Sequence, residues 1–540
     1  MRTSRRRFLG GSAALVAAAA MPRSLHAQEG GVLRVGLSNA VIPRATGENG
    51  MGIEGRRFID QTIFDPLTYF GARPWGDPNK LAPYLATSFT ADPGNRRVWI
   101  MELRQGVKFH DGSDFNADSV VWNMGKYYDK NAKQFMAQEA AIVQSKAPDV
   151  SGWEKRGPFT VAIETSNPSS LLPYSFGVIS MASPARFAEV GSSEAFALKP
   201  SGTGPFRLDF VDPPQRAELS PFTGYWDKNR VPRVQKMIYT PIFEANTRTT
   251  ALVSGQVDWI EAVAPDTVDL IKARGAKLVT NPYPQVWGYM FNCKEGSPYA
   301  DIRVRKAFNL AVDRDGMTKV LNGLSVPATG LYPTDHPWHG KPTFDIKYDP
   351  AQAKELLAQA GYGPDKRLRT KVLAVAGGSG MMQPPVMNAF VQSNLKEVGI
   401  DLDFVITDFA GLWGARPLGA DAPQSHGCDI FNFSLASHDP SEALWQNGSK
   451  FFPPRGLNWG YAKSDRVDAL VDQVLTSFDA DEQSRLYTEF NGAIIDEAFS
   501  AYVAHDAFPR AFGANVSGYV EGYNGIRVQD PSFITIGSLG

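Results

Sequence analysis

Apolar side chains along this 540-residue chain recur at two spacings. Val98 to Leu103 crowds bulky residues into a short run, and Gly106 and Gly112 supply turns behind it, which predicts a strand followed by tight loops. Behind Asn116 the spacing changes. Val120, Val121, Met124 and Tyr127 recur at helical intervals, and the Asn116 side chain can accept from the free amides of the first turn. Asp349 starts a second helix in the same way, with Pro350 at its first position, Ala353, Leu356, Leu357 and Ala360 on one face, and Gly361 ending it. Val304, Ala307, Phe308 and Ala311 make a third stripe. Ser464 precedes a fourth, formed by Val467, Leu470, Val471, Val474 and Leu475. Gly31 to Leu37 alternates as an opening strand, and Asp401 to Ile406 puts Leu402, Phe404 and Ile406 on one face. Strands and helices intermingle, so the fold class is α/β with helices packed on sheets.

Several words stand in a fixed order along the chain. LAPYLATSF, WIMELRQGVKFHDG and DFNADSVVW run from Leu81 to Trp122; SGTGPF spans Ser201 to Phe206, FTGYW Phe222 to Trp226 and ALVSGQVD Ala251 to Asp258. YMFN follows at Tyr289 to Asn292, DIRVRKAFNLAVDR at Asp301 to Arg314, and YDPAQAKELLAQAGY at Tyr348 to Tyr362. This series resembles the family 5 extracellular solute-binding proteins, the receptors that feed peptides, nickel and related solutes to ABC importers. The resemblance implies a periplasmic-binding-protein-like fold with three lobes. Lobe I comprises residues 28–55, 200–283 and 508–540, lobe II residues 56–199 and lobe III residues 284–507, with breaks near Gly55, Lys199, Pro284 and Ala507. It also implies a monomer that passes a small-molecule or peptide ligand to an ABC permease in the inner membrane, with no cofactor.

A chain of this length exceeds one ordinary core, as a multi-lobed reading requires. Its first residues are distinct: Ser4-Arg5-Arg6-Arg7-Phe8-Leu9 carries paired arginines ahead of an alanine-rich run to Ala20, with a cleavage site expected after Ala27. This reads as a twin-arginine export signal and a periplasmic destination. The apolar run from Gly10 to Ala20 falls short of the roughly 20 residues a membrane span needs. Removing the five arginines of residues 1–27 takes the formal charge from −1 to −6. A net-acidic body argues against nucleic acid, whose binding rests on clustered Lys and Arg. Cys293 and Cys428 are far apart in sequence, and buried free thiols are the simpler expectation although export permits a disulfide.

Signals for enzyme chemistry fail on inspection. GGSGM, from Gly377 to Met381, ends in Met where a nucleophile elbow needs Gly. GTGPF lacks dinucleotide-loop spacing and places Pro205 where a helix would begin. His336 and His339 are separated by Pro337, which breaks the helix that would aim both at one metal, so a solvated loop is expected there. His438 beside Asp439 is a second weak metal pair, and His110 reads as structural. No carboxylate pair stands out for a secreted cleft hydrolase, the rival from another class. A receptor that signals without transporting is a third reading.

In the dipeptide binders of the family, a carboxylate holds the ligand's ammonium and an arginine its carboxylate. Counted from Asp439-Pro440, the first anchor's position falls at Ala436; counted from Val391-Gln392, the second falls near Gly378 or Ser379. Both charges are missing, and no Arg occurs between Lys371 and Val405. What remains is aromatic and polar: Phe409, Trp413, Trp287, the Asn458-Trp459 pair, and Ser38 and Asn39 after the first strand. Rings give broad contact to apolar or sugar-like faces. A longer peptide or amino-acid conjugate, paired through its main chain, is the leading expectation. A metal chelate, opine or oligosaccharide on the same fold is the alternative.

Overall fold

The computed structural model describes residues 31–47, 58–59, 61–70, 81–177, 179–282, 285–377, 382–437, 439–520 and 533–537. Residues 1–27, read above as an export signal, the expected breaks at Gly55 and Pro284, Gly378 to Met381 and His438 lie outside them.

Three sheets, beside two two-stranded ribbons, organise the described residues. A seven-stranded sheet has the spatial order Lys277–Val279, Arg510–Phe512, Trp259–Glu261, Val32–Leu37, Lys236–Pro241, Arg216–Pro221 and Phe206–Asp212. A six-stranded sheet runs Ser325–Pro327, Ser500–Asp506, Gln285–Phe291, Ile430–Ala436, Leu368–Val375 and Ile400–Thr407. An antiparallel four-stranded sheet runs Ala86–Ala91, Val98–Leu103, Thr160–Thr165 and Val150–Gly157. Each of the two larger sheets has a parallel part, central in the seven-stranded sheet and at one edge of the six-stranded sheet. Val32–Leu37 lies parallel to Lys236–Pro241 and Trp259–Glu261, and Leu368–Val375 lies parallel to Ile400–Thr407 and Ile430–Ala436.

The local readings hold in detail. Asn116 accepts from the Ser119 amide at 3.1 Å while Ser119 Oγ accepts from the Asn116 amide at 3.1 Å, a reciprocal capping box. Asp349 accepts from the Gln352 amide at 3.0 Å, and Gly361 takes the left-handed φ of 86° that follows the helix. Val304, Ala307 and Phe308 are fully buried. Val467, Val471 and Val474 are fully buried too, but Ser464 does not cap through its side chain; its hydroxyl donates to Glu497 Oε1 at 3.0 Å instead. The Asp401 to Ile406 stripe changes along its length: Leu402 is buried, Phe404 half-buried and Ile406 55% exposed, because the strand runs out of the core towards its carboxyl end.

The ordered words of the sequence weld the seven- and four-stranded sheets together. His110 of KFHDG donates its backbone amide to Gly202 O at 2.9 Å, and its Nε2 sits 2.9 Å from Gly204 O. Gly204 must be glycine, since an added Cβ would stand 2.6 Å from the Thr62 carbonyl oxygen. Buried Asp65 accepts from Trp226 Nε1 at 2.9 Å, Thr203 Oγ1 at 3.1 Å and Tyr225 OH at 3.3 Å. The Arg230 guanidinium donates to Tyr225 OH at 3.1 Å and to Tyr84 OH. FTGYW, SGTGPF and LAPYLATSF therefore meet in one satisfied polar knot.

Candidate functional site

Open parallel sheets present ligands with the carboxyl ends of their strands, where loops and helix starts supply polar groups without breaking the ladder. Here two such edges belong to sheets joined by the 280–284 and 507–509 connections. The connections touch: the Asn281 amide donates to Ala507 O at 2.7 Å, and Asp506 Oδ1 holds the Phe508 amide at 2.7 Å while Phe508 adopts a φ of 49°. Strand connections that are short in sequence can absorb a hinge rotation.

On the seven-stranded side, Ser38 and Asn39 follow the carboxyl end of Val32–Leu37, and both are half-buried. Asn39 Oδ1 is buried with no hydrogen-bond partner. Past the end of Lys236–Pro241, Phe243 is 72% exposed, an aromatic that the sequence reading did not select. On the six-stranded side, Asp408 ends the Ile400–Thr407 excursion and caps the Phe409–Ala415 helix, accepting from the Gly411 amide at 2.6 Å. Trp413 on that helix is 40% exposed, and its ring centroid lies 5.6 Å from that of Phe433. Ala436 pairs with Gln285 at the end of its strand, and the next residue, Ser437, is buried with an unpartnered hydroxyl. The side chains of Phe409 and Ala436 lie outside the described residues; their backbones place Phe409 at the helix start and Ala436 at the strand end.

Three sequence-selected residues belong to the core instead. Trp287 is fully buried on the face packed by the outer helices, its ring 5.2 Å from Tyr289. Trp459 is fully buried and donates Nε1 to Ser425 Oγ at 3.0 Å. Asn458 spends its amide on the backbone, giving Nδ2 to Gly448 O at 3.0 Å and Ala462 O at 2.8 Å and receiving the Ala462 amide at 2.9 Å. An amide occupied in this way positions a loop and has little capacity left for a ligand.

The His336 region is also not the solvated loop expected. His336 is buried against Tyr332, with centroids 4.6 Å apart, and its Nδ1 accepts from the Trp338 amide at 3.0 Å; burial pushes its pKa down to about 4. His339 Nδ1 sits 2.8 Å from Tyr332 O. Among the described residues no group of three or more His, Cys, Asp or Glu side chains could hold a metal. Cys293 and Cys428 are free, and burial pushes both thiols up to about 11.

Asp439 starts the Pro440–Asn447 helix, accepting from the Ser441 amide at 2.8 Å; burial raises its pKa despite those hydrogen bonds and the opposing charge of Lys146. A small cavity of about 30 Å³ lies close by, between Lys146, Thr165 and Ser175 on one side and Ser441, Trp445 and Phe451 on the other. At the same seam Ser170 bridges to the third region of the chain. Its amide donates to Leu475 O at 2.9 Å, its hydroxyl to Val474 O at 2.8 Å, and Gln483 Nε2 donates to the hydroxyl at 2.8 Å. Phe70 stacks on Trp338 across this boundary, with centroids 5.8 Å apart.

Comparison with known proteins agrees with this layout. Residues 80–451 match the family model described as bacterial extracellular solute-binding proteins, family 5 Middle. The glutathione-binding protein GsiB of Escherichia coli K12 is 28% identical over 458 residues, covering 82% of this chain and 83% of GsiB. A dipeptide-binding protein from Pseudoalteromonas sp. SM9913, solved with Met-Leu, superposes with a TM-score of 0.76 at 18% identity, over 94% of this chain and 100% of that one. AgaA from A. tumefaciens R10, solved with agropinic acid, gives 0.73 at 22% identity, over 94% and 98%. These relatives are binding proteins rather than enzymes, and among the described residues no helix is long and apolar enough to cross a membrane. The chain belongs to the family 5 extracellular solute-binding proteins, which bind peptides, nickel chelates or related solutes for ABC importers.

Proposed function

We propose that this protein is an exported, periplasmic, monomeric receptor that encloses a peptide-like solute or amino-acid conjugate between two closing lobes and presents it to an ABC permease in the inner membrane. Residues 28–55, 200–283 and 508–540 form lobe I, residues 56–199 lobe II and residues 284–507 lobe III. Residues 1–27 are removed as a twin-arginine signal. The ligand lies between the carboxyl ends of the two larger sheets, bordered by Ser38, Asn39, Phe409, Trp413 and the backbone at Ala436.

The observation that carries this reading is the pairing of two carboxyl-end edges on sheets hinged by short connections. Asn39 and Ser437 each keep a buried polar atom unpaired on those edges. Enclosure at such a junction buries most of a small solute. Closure then follows from contacts that exist only when the lobes meet, which shift a pre-existing equilibrium. The kinship with a glutathione-binding protein favours a short peptide or conjugate over a sugar.

A thermal-shift screen of the mature protein tests this. The probes are glutathione, a dipeptide, a tetrapeptide, agropinic acid, nickel with histidine, and a neutral oligosaccharide. A ligand selective for the native state raises the midpoint by mass action. Glutathione or a peptide should do so, and the ligand should be recovered chemically unchanged. A response confined to the oligosaccharide contradicts the proposed class, and turnover of any probe contradicts the receptor reading.

A further inference from the structure

Between Asp408 and Asp421 the sequence carries one charge, Arg416, in the otherwise uncharged run FAGLWGARPLGA. The Phe409–Ala415 helix ends on it, and packing of Leu412 and Ala415 into the core carries Arg416 inward until it is only 4% exposed. A buried guanidinium ordinarily hands its N–H groups to acceptors, because leaving them unmade forfeits their hydration.

Arg248, Arg305 and Arg314 do so, whereas the Nε–Nη2 edge of Arg510 faces an internal carboxylate, Glu261 Oε1, at 4.0 Å. Arg248 donates to the carbonyl oxygens of Ile242, Phe243, Glu261 and Ala262 at 2.6–3.0 Å. Arg305 donates to Tyr299, Ala300 and Glu497 carbonyls at 2.8–3.0 Å. Arg314 donates to Ala328, Tyr502, Asn309 and Val312 carbonyls at 2.8–3.2 Å. Arg416 differs: its Nε and Nη2 are both buried and neither has a hydrogen-bond partner. Its charge is answered from a distance by Glu442 on the Pro440–Asn447 helix, and its Cζ lies 5.4 Å from the Trp413 ring centroid.

The two unpaired atoms form one edge of the guanidinium plane. That edge is the one this protein uses for carboxylates elsewhere. Arg34 Nε and Nη2 each meet an Asp258 oxygen at 2.9 Å, and Arg367 Nε and Nη2 meet Asp401 at 2.8 and 2.7 Å. Two parallel N–H groups match the two oxygens of a carboxylate in spacing and charge. Trp413, 40% exposed, stands beside the guanidinium with its ring centroid 5.4 Å from Cζ.

We infer that the Nε–Nη2 edge of Arg416 receives a carboxylate of the bound solute beneath the Trp413 ring, so that the cargo is an acidic peptide or amino-acid conjugate. This rests on the receptor reading above and supplies a charged anchor on a different element from the two positions, Ala436 and Gly378 or Ser379, that carry no charge in this sequence. Both helices that flank it begin at carboxyl ends of the six-stranded sheet. The anchor therefore belongs to lobe III and holds the ligand before or after lobe I closes.

The test measures binding by calorimetry for glutathione and agropinic acid, each against its methyl-esterified form, on the wild type and on Arg416→Met and Glu442→Gln. The acids should bind the wild type at least about 30-fold more tightly than the esters, and Arg416→Met should erase that preference. Arg416→Met should also keep or raise the ligand-free thermal midpoint, since methionine fills the space without orphaned donors. Equal binding of acid and ester by the wild type overturns the inference while leaving the receptor reading intact. So does unchanged affinity in Arg416→Met with a lowered midpoint shared by Glu442→Gln, which would make the arginine part of an internal pair. Failure of all acids and esters to bind, with a neutral probe binding, also overturns it; silence of every probe removes the receptor reading itself.

Discussion

Two polar regions of this molecule, similar in burial, differ in how completely they are bonded. At the weld between the seven- and four-stranded sheets, Asp65 accepts three side-chain hydrogen bonds and the His110 ring engages the backbone on both nitrogens. At the rim of carboxyl ends, Asn39 Oδ1, Ser437 Oγ and two nitrogens of Arg416 remain unpaired. A closed network is a scaffold, because every donor is matched from within. Buried atoms left open at the junction of the two sheets are what the proposed ligand would meet, although Trp287 Nε1 in the core is unpaired as well.

The sharpest way to break this contrast is Asp65→Ala. It strands the Trp226, Thr203 and Tyr225 donors and should destabilise the protein by about 3 kcal/mol, read as a lower thermal midpoint. A shift as small as that of an exposed substitution would show that the weld does not organise the fold. Trp413→Ala should act on the other side of the comparison, weakening ligand affinity by about 1–3 kcal/mol with little change in the ligand-free midpoint. The reverse pattern would return Trp413 to the core.

Ser170→Ala lies between the two regions. It removes the hydroxyl that bonds Val474 O and receives Gln483 Nε2, so it should open the seam and weaken affinity by about 1 kcal/mol without touching ligand. Unchanged affinity in a titration would show that this seam does not set the closing equilibrium.

Acid should act on the weld. Burial holds the His110 pKa down to about 4, with the hydrogen bond to Gly204 opposing it, and the Gly202 amide lies 3.5 Å from Nδ1, which must stay unprotonated to accept. The folded state therefore binds fewer protons than the unfolded state between about 6.5 and 4. The contribution of His110 is fully present above that window and is lost as pH falls through it. The wild-type midpoint should drop between pH 7 and 4.5, and His110→Gln should start lower and drop less. A variant as acid-sensitive as the wild type would remove His110 from the account.

Much of the fold was legible in the sequence because its words are structural. Asn116, Asp349 and Gly361 act locally, and their roles follow from hydrogen-bonding chemistry within one turn. The rim was legible only in part. Ser38 could be placed behind the first strand, and Ala436 only by counting from Asp439-Pro440, but an isolated Trp does not reveal which way it faces, and Trp287 and Trp459 are fully buried. Asn458 resembled a ligand contact because a loop-closing amide and a recognition amide share one chemistry. Arg416 lies beyond the Lys371 to Val405 stretch in which the family resemblance implies an arginine. The visible signal was its isolation as the sole charge in an apolar run, which becomes informative once burial and unpaired nitrogens are known.

Small-angle scattering of the mature protein, with and without the tightest-binding acid from the screen, tests the central claim most directly. Closure predicts a smaller radius of gyration at saturation, one ligand per chain, and release of the same compound on unfolding. An unchanged radius at full occupancy, or recovery of a cleaved or modified ligand, would contradict a receptor that works by shutting around its cargo.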